Sequence, residues 1–379
     1  MKDQKIAIIG GGIVGSTAAY YLSRKNYDVT LYDHGVGQAT RASAGIICPW
    51  FSKRRNKAWY FLVSKGAEFY RQFMEDLSQD GYKTDGIFQE DTALLPRKKD
   101  KDLQFDLDQA AKKRPESPSI GSVKSLTSQE IKKIFPLYES NLPASWIQGG
   151  ARIDGLALIQ TLQQAVKDRG KQVIHDKVSF QRSPQGKYLI ESHDFTESYD
   201  QILLAVGPWL PELLKPFGLA CDIRPQKGQL LSFYDSDWIN KHWPVIMPPG
   251  EVDIIPFNNG EIVIGASHED NQGFDLKPDA KVLNELLQHA YNYVPALKNR
   301  SIHSTRVGTR AYTSTYDILV GAVPQLNHVW AISGLGSSGL TSGPYLAYQW
   351  VQLLDQGNWE IDASLYPIEQ YIYPQSMSK

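Results

Sequence analysis

The sequence predicts an α/β fold in which a nucleotide-binding sheet is interrupted by β-rich insertions. Three observations carry this. The apolar run Lys5-Ile6-Ala7-Ile8-Ile9 leads directly into Gly10-Gly11-Gly12-Ile13-Val14-Gly15. A helix pattern and a second strand, Val29-Thr30-Leu31-Tyr32, then end at the acid Asp33. Alternating strand and helix patterns return in the middle and at the end of the chain, with strand-rich stretches between them.

The opening unit has the order strand, glycine turn, helix, strand, acid. Gly10 permits the tight turn, Gly12 lets a pyrophosphate approach the backbone, and Gly15 lets the helix pack closely on the strand. The helix start offers unpaired N–H groups to phosphates. Asp33 stands where a carboxylate accepts ribose hydroxyls. Ile13, Val14, Thr17, Ala18, Tyr21 and Leu22 share one helical face. The fingerprint says dinucleotide and does not separate FAD from NAD.

Next comes Gly37-Gln38-Ala39-Thr40-Arg41-Ala42-Ser43-Ala44-Gly45-Ile46-Ile47. So few bulky side chains imply a close neighbour, either backbone or ligand. A helix is expected over 54–77, with Trp59, Leu62, Val63, Tyr70, Phe73 and Leu77 inward. The basic run Lys53-Arg54-Arg55-Asn56-Lys57 reads as its solvated start. From Gly86 short strands over 87–95, a charged helix over 98–113 and a Pro- and Ser-rich loop mark an insertion. Asp154 caps a helix that ends at Gly170. Strands follow over 173–175, 187–191 and 202–206, the last broken by Gly207-Pro208-Trp209. A β-rich stretch over 222–267 includes a hairpin with its turn at Asn259-Gly260. One helix is expected over 280–293. The last strand, Val329-Trp330-Ala331-Ile332, runs into Ser333-Gly334-Leu335-Gly336-Ser337-Ser338-Gly339-Leu340 and a final helix.

Bulk properties agree with an ordinary globular protein. The chain has 379 residues, 42% hydrophobic and 21% charged, with a net charge of −1. No polybasic groove for nucleic acid is present, and no apolar run approaches the ~20 residues of a membrane span. The first strand leaves no room for a signal peptide, so a cytoplasmic protein is expected. Cys48 and Cys221 are the two cysteines, and no metal-ligand spacing appears, so no metal site is expected.

Taken in order, these motifs resemble the D-amino-acid oxidase/glycine oxidase family of FAD-dependent flavoenzymes, nearest the glycine oxidase and sarcosine oxidase branch. The resemblance covers nearly the whole chain. It rests on Gly10–Gly15 with Asp33, Arg41–Ile46, Gly150–Asp154, Leu204–Trp209, Pro225–Gln229, Gly308-Thr309-Arg310 and Gly334–Gly339. It implies a Rossmann-like FAD domain formed by 1–85, 146–221 and 310–379, and an inserted β-rich α+β substrate domain formed by 86–145 and 222–309. For FAD it implies Gly10, Gly12, Ile13, Val14, Gly15, Asp33 and His34 at the ADP half. Arg41, Ala42, Ser43, Gly45 and Ile46 would run along the pyrophosphate and flavin. Val178, Ala205, Gly207 and Trp209 would lie on the adenine side, and Gly334, Gly336, Ser337, Ser338, Gly339 and Leu340 at the flavin ring. Relatives that bind FAD covalently use a cysteine late in the chain. None follows Cys221, so non-covalent FAD is implied.

For the substrate, the resemblance assigns Arg310 to a carboxylate, a task that suits the guanidinium fork. Arg306 and Tyr312 share its strand face by period two. Asp253 stands where relatives carry a substrate-facing Tyr. Ala311 replaces a Pro, Thr315 an Asp, and Pro256-Phe257 stands where Pro-Arg is common. An aspartate in the pocket favours an amine or cationic substrate, and Arg306 an anionic one. The implied reaction is oxidation of the amine of an amino acid or N-substituted amino acid by hydride transfer to flavin N5. The resulting imine hydrolyses, and oxygen or another acceptor reoxidises the flavin. Two alternatives stand beside it: a 2-hydroxy-acid dehydrogenase, for which no His base lies near Arg310, and a non-catalytic flavoprotein partner. Homo-oligomerisation is left open.

Overall fold

The computed structural model describes residues 4–52, 54, 56–184, 186–250 and 252–377. Lys53 and Arg55 of the basic run lie outside the described residues. Two large sheets organise the chain. The first has six strands in the order Leu319–Ala322, Val329–Ser333, Gln201–Leu204, Lys5–Ile9, Asp28–Tyr32, Gln172–Ile174. The Lys5–Ile9 strand runs parallel to both of its neighbours, and Leu319–Ala322 is antiparallel at the edge. Its strands come from the start, middle and end of the chain, as the recurrent α/β pattern predicts. Helices Ile13–Arg24, Gly155–Asp168 and Gly339–Gln356 pack on one face. Their apolar stripes join Ile6, Ile8 and Leu31 in the largest core cluster.

The second sheet has eight strands in the order Ser304–Tyr312, Arg224–Ile239, Asn259–Gly265, Asp253–Pro256, Val245–Ile246, Ala93–Pro96, Ala144–Ile147, Val123–Leu126. Alternation along these strands separates two cores. Leu230, Ile255 and Val263 join the core shared with the first sheet. Leu231, Phe233, Ile254 and Ile264 join a second core with Leu286 and Ala290 of the helix Ala280–Tyr291. The expected boundaries near residues 146 and 310 fall inside strands of this sheet.

Local signals account for most element ends. Asn56 accepts the Trp59 N–H and starts the helix Lys57–Gln79, three residues later than expected from the apolar period alone. Asp154 accepts the Ala157 N–H at the start of Gly155–Asp168. Several elements have no counterpart in the sequence reading, three of them notable. The helix Ser128–Ile134 lies in what reads as a Pro/Ser loop, and a complete capping box between Thr127 and Glu130 starts it. Strands Ser179–Arg182 and Thr196–Tyr199 flank Tyr188–Glu191 in a small antiparallel sheet. The hairpin turn also differs from expectation. The Gly260 N–H bonds to the Phe257 carbonyl, so the loop is 258–260 and Gly260, at φ 92°, is its left-handed third residue.

Candidate active site

A cavity of about 820 Å³ lies along the C-terminal ends of the parallel strands, the place where open α/β sheets bind ligands. Gly10, at φ 104°, turns the chain under it, and a Cβ there would come within 2.4 Å of the Ala205 carbonyl oxygen. No side chain other than hydrogen fits. Gly12, Ile13, Val14, Asp33, His34, Val178, Ala205, Gly207, Trp209, Gly334, Gly336 and Gly339 all line the cavity. Gly15 does not. A Cβ on it would meet the Gly10 carbonyl at 1.8 Å, so its part is helix packing.

The Asp33 carboxylate is buried and heavily engaged. It accepts the Gly11 N–H at 3.2 Å, the Gly35 N–H at 3.1 Å and the Gln163 side chain at 3.3 Å. It also accepts the Gln38 amide and pairs with Arg41 at 3.5 Å. In the small-residue segment, Gln38, Ala39 and Thr40 line the cavity, whereas Arg41, Ala42, Ser43, Gly45 and Ile46 do not. Arg41 instead donates to Gln38, the Ser43 hydroxyl donates to the Thr40 carbonyl, and Ile46 pairs with Arg152 across a short strand. Sequence reading missed Thr40, whose hydroxyl accepts the Ile13 N–H at 3.1 Å, and Thr309, a cavity-lining residue. The Thr309 hydroxyl is buried and has no hydrogen-bond partner among the described residues. A buried donor left unmet in the wall of a cavity wants a polar ligand there. The glycine cradle, the buried acid and this orphan hydroxyl together fit a dinucleotide.

A second cavity of about 420 Å³ adjoins the first, sharing Gly334 and Leu335. Ser337 and Ser338 line this one instead, with Arg54, Asn56, Trp59 and Tyr312. The Tyr312 hydroxyl accepts the Ser337 N–H at 3.0 Å, and Trp59 Nε1 donates to Ser338 Oγ at 3.0 Å. Leu340 contributes its carbonyl to the Tyr70 hydroxyl at 2.5 Å and lines neither cavity.

The four substrate-side residues share one sheet face. Arg306, Leu230, Gly265 and Asp253 pair in a single row across four strands. Leu230 points to the core shared with the nucleotide sheet, so this row does too. Alternation puts Gly308, Arg310 and Tyr312 on that face, and a Cβ on Gly308 would come within 2.8 Å of Ala42 Cβ. Arg310 Nη1 donates to the Ser267 carbonyl at 2.8 Å and to Gln226 Oε1 at 3.2 Å, which fixes the guanidinium. Arg306 leans the other way, 3.9 Å from Glu261, with a buried Nε lacking a partner.

Asp253 is half-buried and accepts no hydrogen bond from any described residue; burial pushes its carboxyl up to about 8. Burial also pushes the Cys48 thiol up to about 12, with Asp106 and then Asp253 adding to it. The Asp253 charge is thus felt at Cys48, the residue after the short strand Ile46–Ile47. Among the described residues no cluster of three His, Cys, Asp or Glu could hold a metal ion. No helix among them is long and apolar enough to cross a membrane.

Comparison with known proteins agrees with this geometry. The sequence profile of the FAD dependent oxidoreductase family, DAO, matches residues 5–353. An uncharacterised oxidoreductase of Bacillus subtilis, YurR, is 36% identical over 363 residues, 95% of this chain and 97% of that protein. Glycine oxidase of Pseudomonas putida is 24% identical over 380 residues, 97% of this chain and 99% of that protein. The crystal structure of iminodiacetate oxidase (IdaA) from Chelativorans sp. BNC1 superposes with a TM-score of 0.90 at 31% identity. It covers 96% of this chain and 98% of its own.

Proposed function

The chain belongs to the DAO family of FAD-dependent oxidoreductases, and from that premise we propose that it oxidises the amine of an amino acid or N-substituted amino acid. One observation carries the proposal. A fixed arginine, Arg310, and a carboxyl that burial pushes up to about 8, Asp253, stand on one face of the eight-stranded sheet, and the strand neighbours of Arg310, Thr309 and Ala311, line the cofactor cavity. An amino acid presents the matching pair, a carboxylate and an ammonium group. The similarity to a protein named iminodiacetate oxidase supports an N-substituted substrate.

FAD bound in the 820 Å³ cavity would supply the two-electron acceptor. The protein's own share is placement and proton handling. Arg310 holds the carboxylate with the plane of its guanidinium set by Ser267 and Gln226. A carboxyl with a pKa of about 8 ionises as the pH rises through that value, and its ionised form would take the ammonium proton and become the acid. The amine is left neutral and its Cα–H electron-rich. Gly334–Gly339 forms the turn into the helix Gly339–Gln356, whose N-terminal dipole end faces the cavity. Neither cysteine follows this turn, which supports non-covalent attachment. Acid precipitation that left flavin on the protein would overturn that point.

The test is anaerobic mixing of the oxidised holoenzyme with glycine, N-methylglycine, iminodiacetate and glycolate, followed by air. Loss of the flavin absorbance with at least one amine, and none with glycolate, is expected. Loss with glycolate alone would establish the hydroxy-acid alternative. No loss with any of them would leave a non-catalytic flavoprotein. The rate of return in air reports whether oxygen is the acceptor.

A further inference from the structure

We propose that Arg54 forms a second anion subsite, so that the substrate is a small dicarboxylate with one carboxylate at Arg310 and the other at Arg54. This deepens the amine-oxidation reading and rests on it for the identity of the reaction only. Arg54 lines the 420 Å³ cavity that adjoins the cofactor cavity. Its side chain is 30% exposed, and its cationic form is disfavoured chiefly by burial. Its protein partners do not compensate fully. The guanidinium donates to the Tyr316 carbonyl, stacks 5.0 Å from the Trp59 ring, and stands 3.9 Å from Asp317. That Asp317 carboxylate already accepts from Asn56, Thr315 and Tyr371. A desolvated cation whose nearest acid is committed elsewhere is a cation awaiting an anion.

Two further observations place that anion. Tyr312 lines the Arg54 cavity and lies two residues beyond Arg310 on the same strand face. Arg310 therefore approaches the Arg54 cavity from the strand that closes it. On the other side, Arg54 and Asn56 also line a third cavity, of about 900 Å³, between the helices Lys57–Gln79 and Asp100–Lys113. Five lysines line it, Lys101, Lys112 and Lys113 among them, against the acids Asp102 and Glu116. A cavity with that charge balance concentrates anions at its inner end, and Arg54 stands there. A substrate with one carboxylate would leave Arg54 as it is. A substrate with two satisfies both cations.

The test uses ligands that cannot be oxidised at an amine. Diglycolate, the ether counterpart of iminodiacetate, has two carboxylates, and methoxyacetate has one. Both are titrated into oxidised holoenzyme by calorimetry and by the flavin difference spectrum. Wild type is expected to bind diglycolate about 30-fold tighter than methoxyacetate, the weight of one charge-assisted contact. Arg54→Gln should reduce that ratio to about threefold or less, and Arg54→Lys should restore part of it. Flavin content and Tm of each variant show whether the fold is intact. Equal wild-type affinities, or an unchanged ratio in Arg54→Gln, would overturn the subsite. If the ratio behaves as expected while no amine reduces the flavin, the subsite stands and the amine-oxidation reading falls.

Discussion

Asp253→Asn should change how stability responds to pH, and the direction is fixed by burial. In the unfolded chain the carboxyl ionises near 3.8; in the folded chain it is held up to about 8. A group whose folded value is raised stabilises the protein below its unfolded value, and that contribution is lost as pH rises toward the folded value. Asparagine has no such dependence. Between pH 5 and pH 7 the unfolded aspartate is charged and the folded one is not. At about 1.4 kcal/mol per pH unit, the variant should gain about 3 kcal/mol on wild type over that interval. A chain of 379 residues has an unfolding entropy of about 0.8 kcal/mol per degree, so the two Tm curves should diverge by about 3–4 °C. Thermal melts of both proteins at saturating FAD, every half pH unit from 4.5 to 9, check this. The divergence should stop above pH 8. Parallel curves would refute the buried, unpartnered carboxyl. The same residue should set an acidic limb near pH 8 in kcat/KM for the amine substrate, absent in Asp253→Asn.

Gly10→Ala should give a protein purified without flavin. The new Cβ would lie 2.4 Å from the Ala205 carbonyl oxygen, and L side chains disfavour the left-handed backbone by ~1–2 kcal/mol; a normal ratio of flavin to protein absorbance would contradict this. Thr309→Val removes a buried hydroxyl with no partner. It should raise the Tm of the apoprotein, since such a group costs ~1–3 kcal/mol, while weakening FAD in a fluorescence titration; unchanged FAD affinity would release Thr309 from any role toward the cofactor. Arg310→Met should raise KM for N-methylglycine by about 100-fold and leave dimethylamine turnover nearly unchanged, in line with the loss of a bidentate charged contact. An equal effect on both amines would remove the carboxylate from Arg310.

The parts of this protein that were legible in the sequence are those where one position has one permitted chemistry. Gly10 admits only glycine, Asp154 caps a helix by a short-range hydrogen bond, and Arg306, Arg310 and Tyr312 share a face by period two. The misses have physical causes too. The strand Thr196–Tyr199 has no continuous apolar run, and it is held by pairing with Tyr188–Glu191, a tertiary fact. In the segment 37–47 the composition announced a close neighbour without saying which side would face it. Gln38, Ala39 and Thr40 line the cofactor cavity and Arg41 turns back to Asp33.

Arg54 is the sharpest instance. In the sequence it belongs to a basic run, and basic runs are usually solvated. The fold gives it neighbours from elsewhere in the chain. Asn56 caps the following helix, Trp59 offers its ring, and the strand end at Tyr312 closes the cavity from the far side. The first two contacts are local, but Tyr312 lies more than 250 positions from Arg54, and no local pattern could foretell that wall of the cavity. Asp253, which the resemblance sets at the substrate, is aligned with Gly265, Leu230 and Arg306 by strand register. Cofactor recognition is built from turns and caps, which are local, and it is carried by the sequence. Substrate recognition is built from single charged residues whose meaning depends on what is folded against them. A relative that kept every glycine of the cradle and changed only Arg54 and Asp253 would bind the same cofactor and take a different amine.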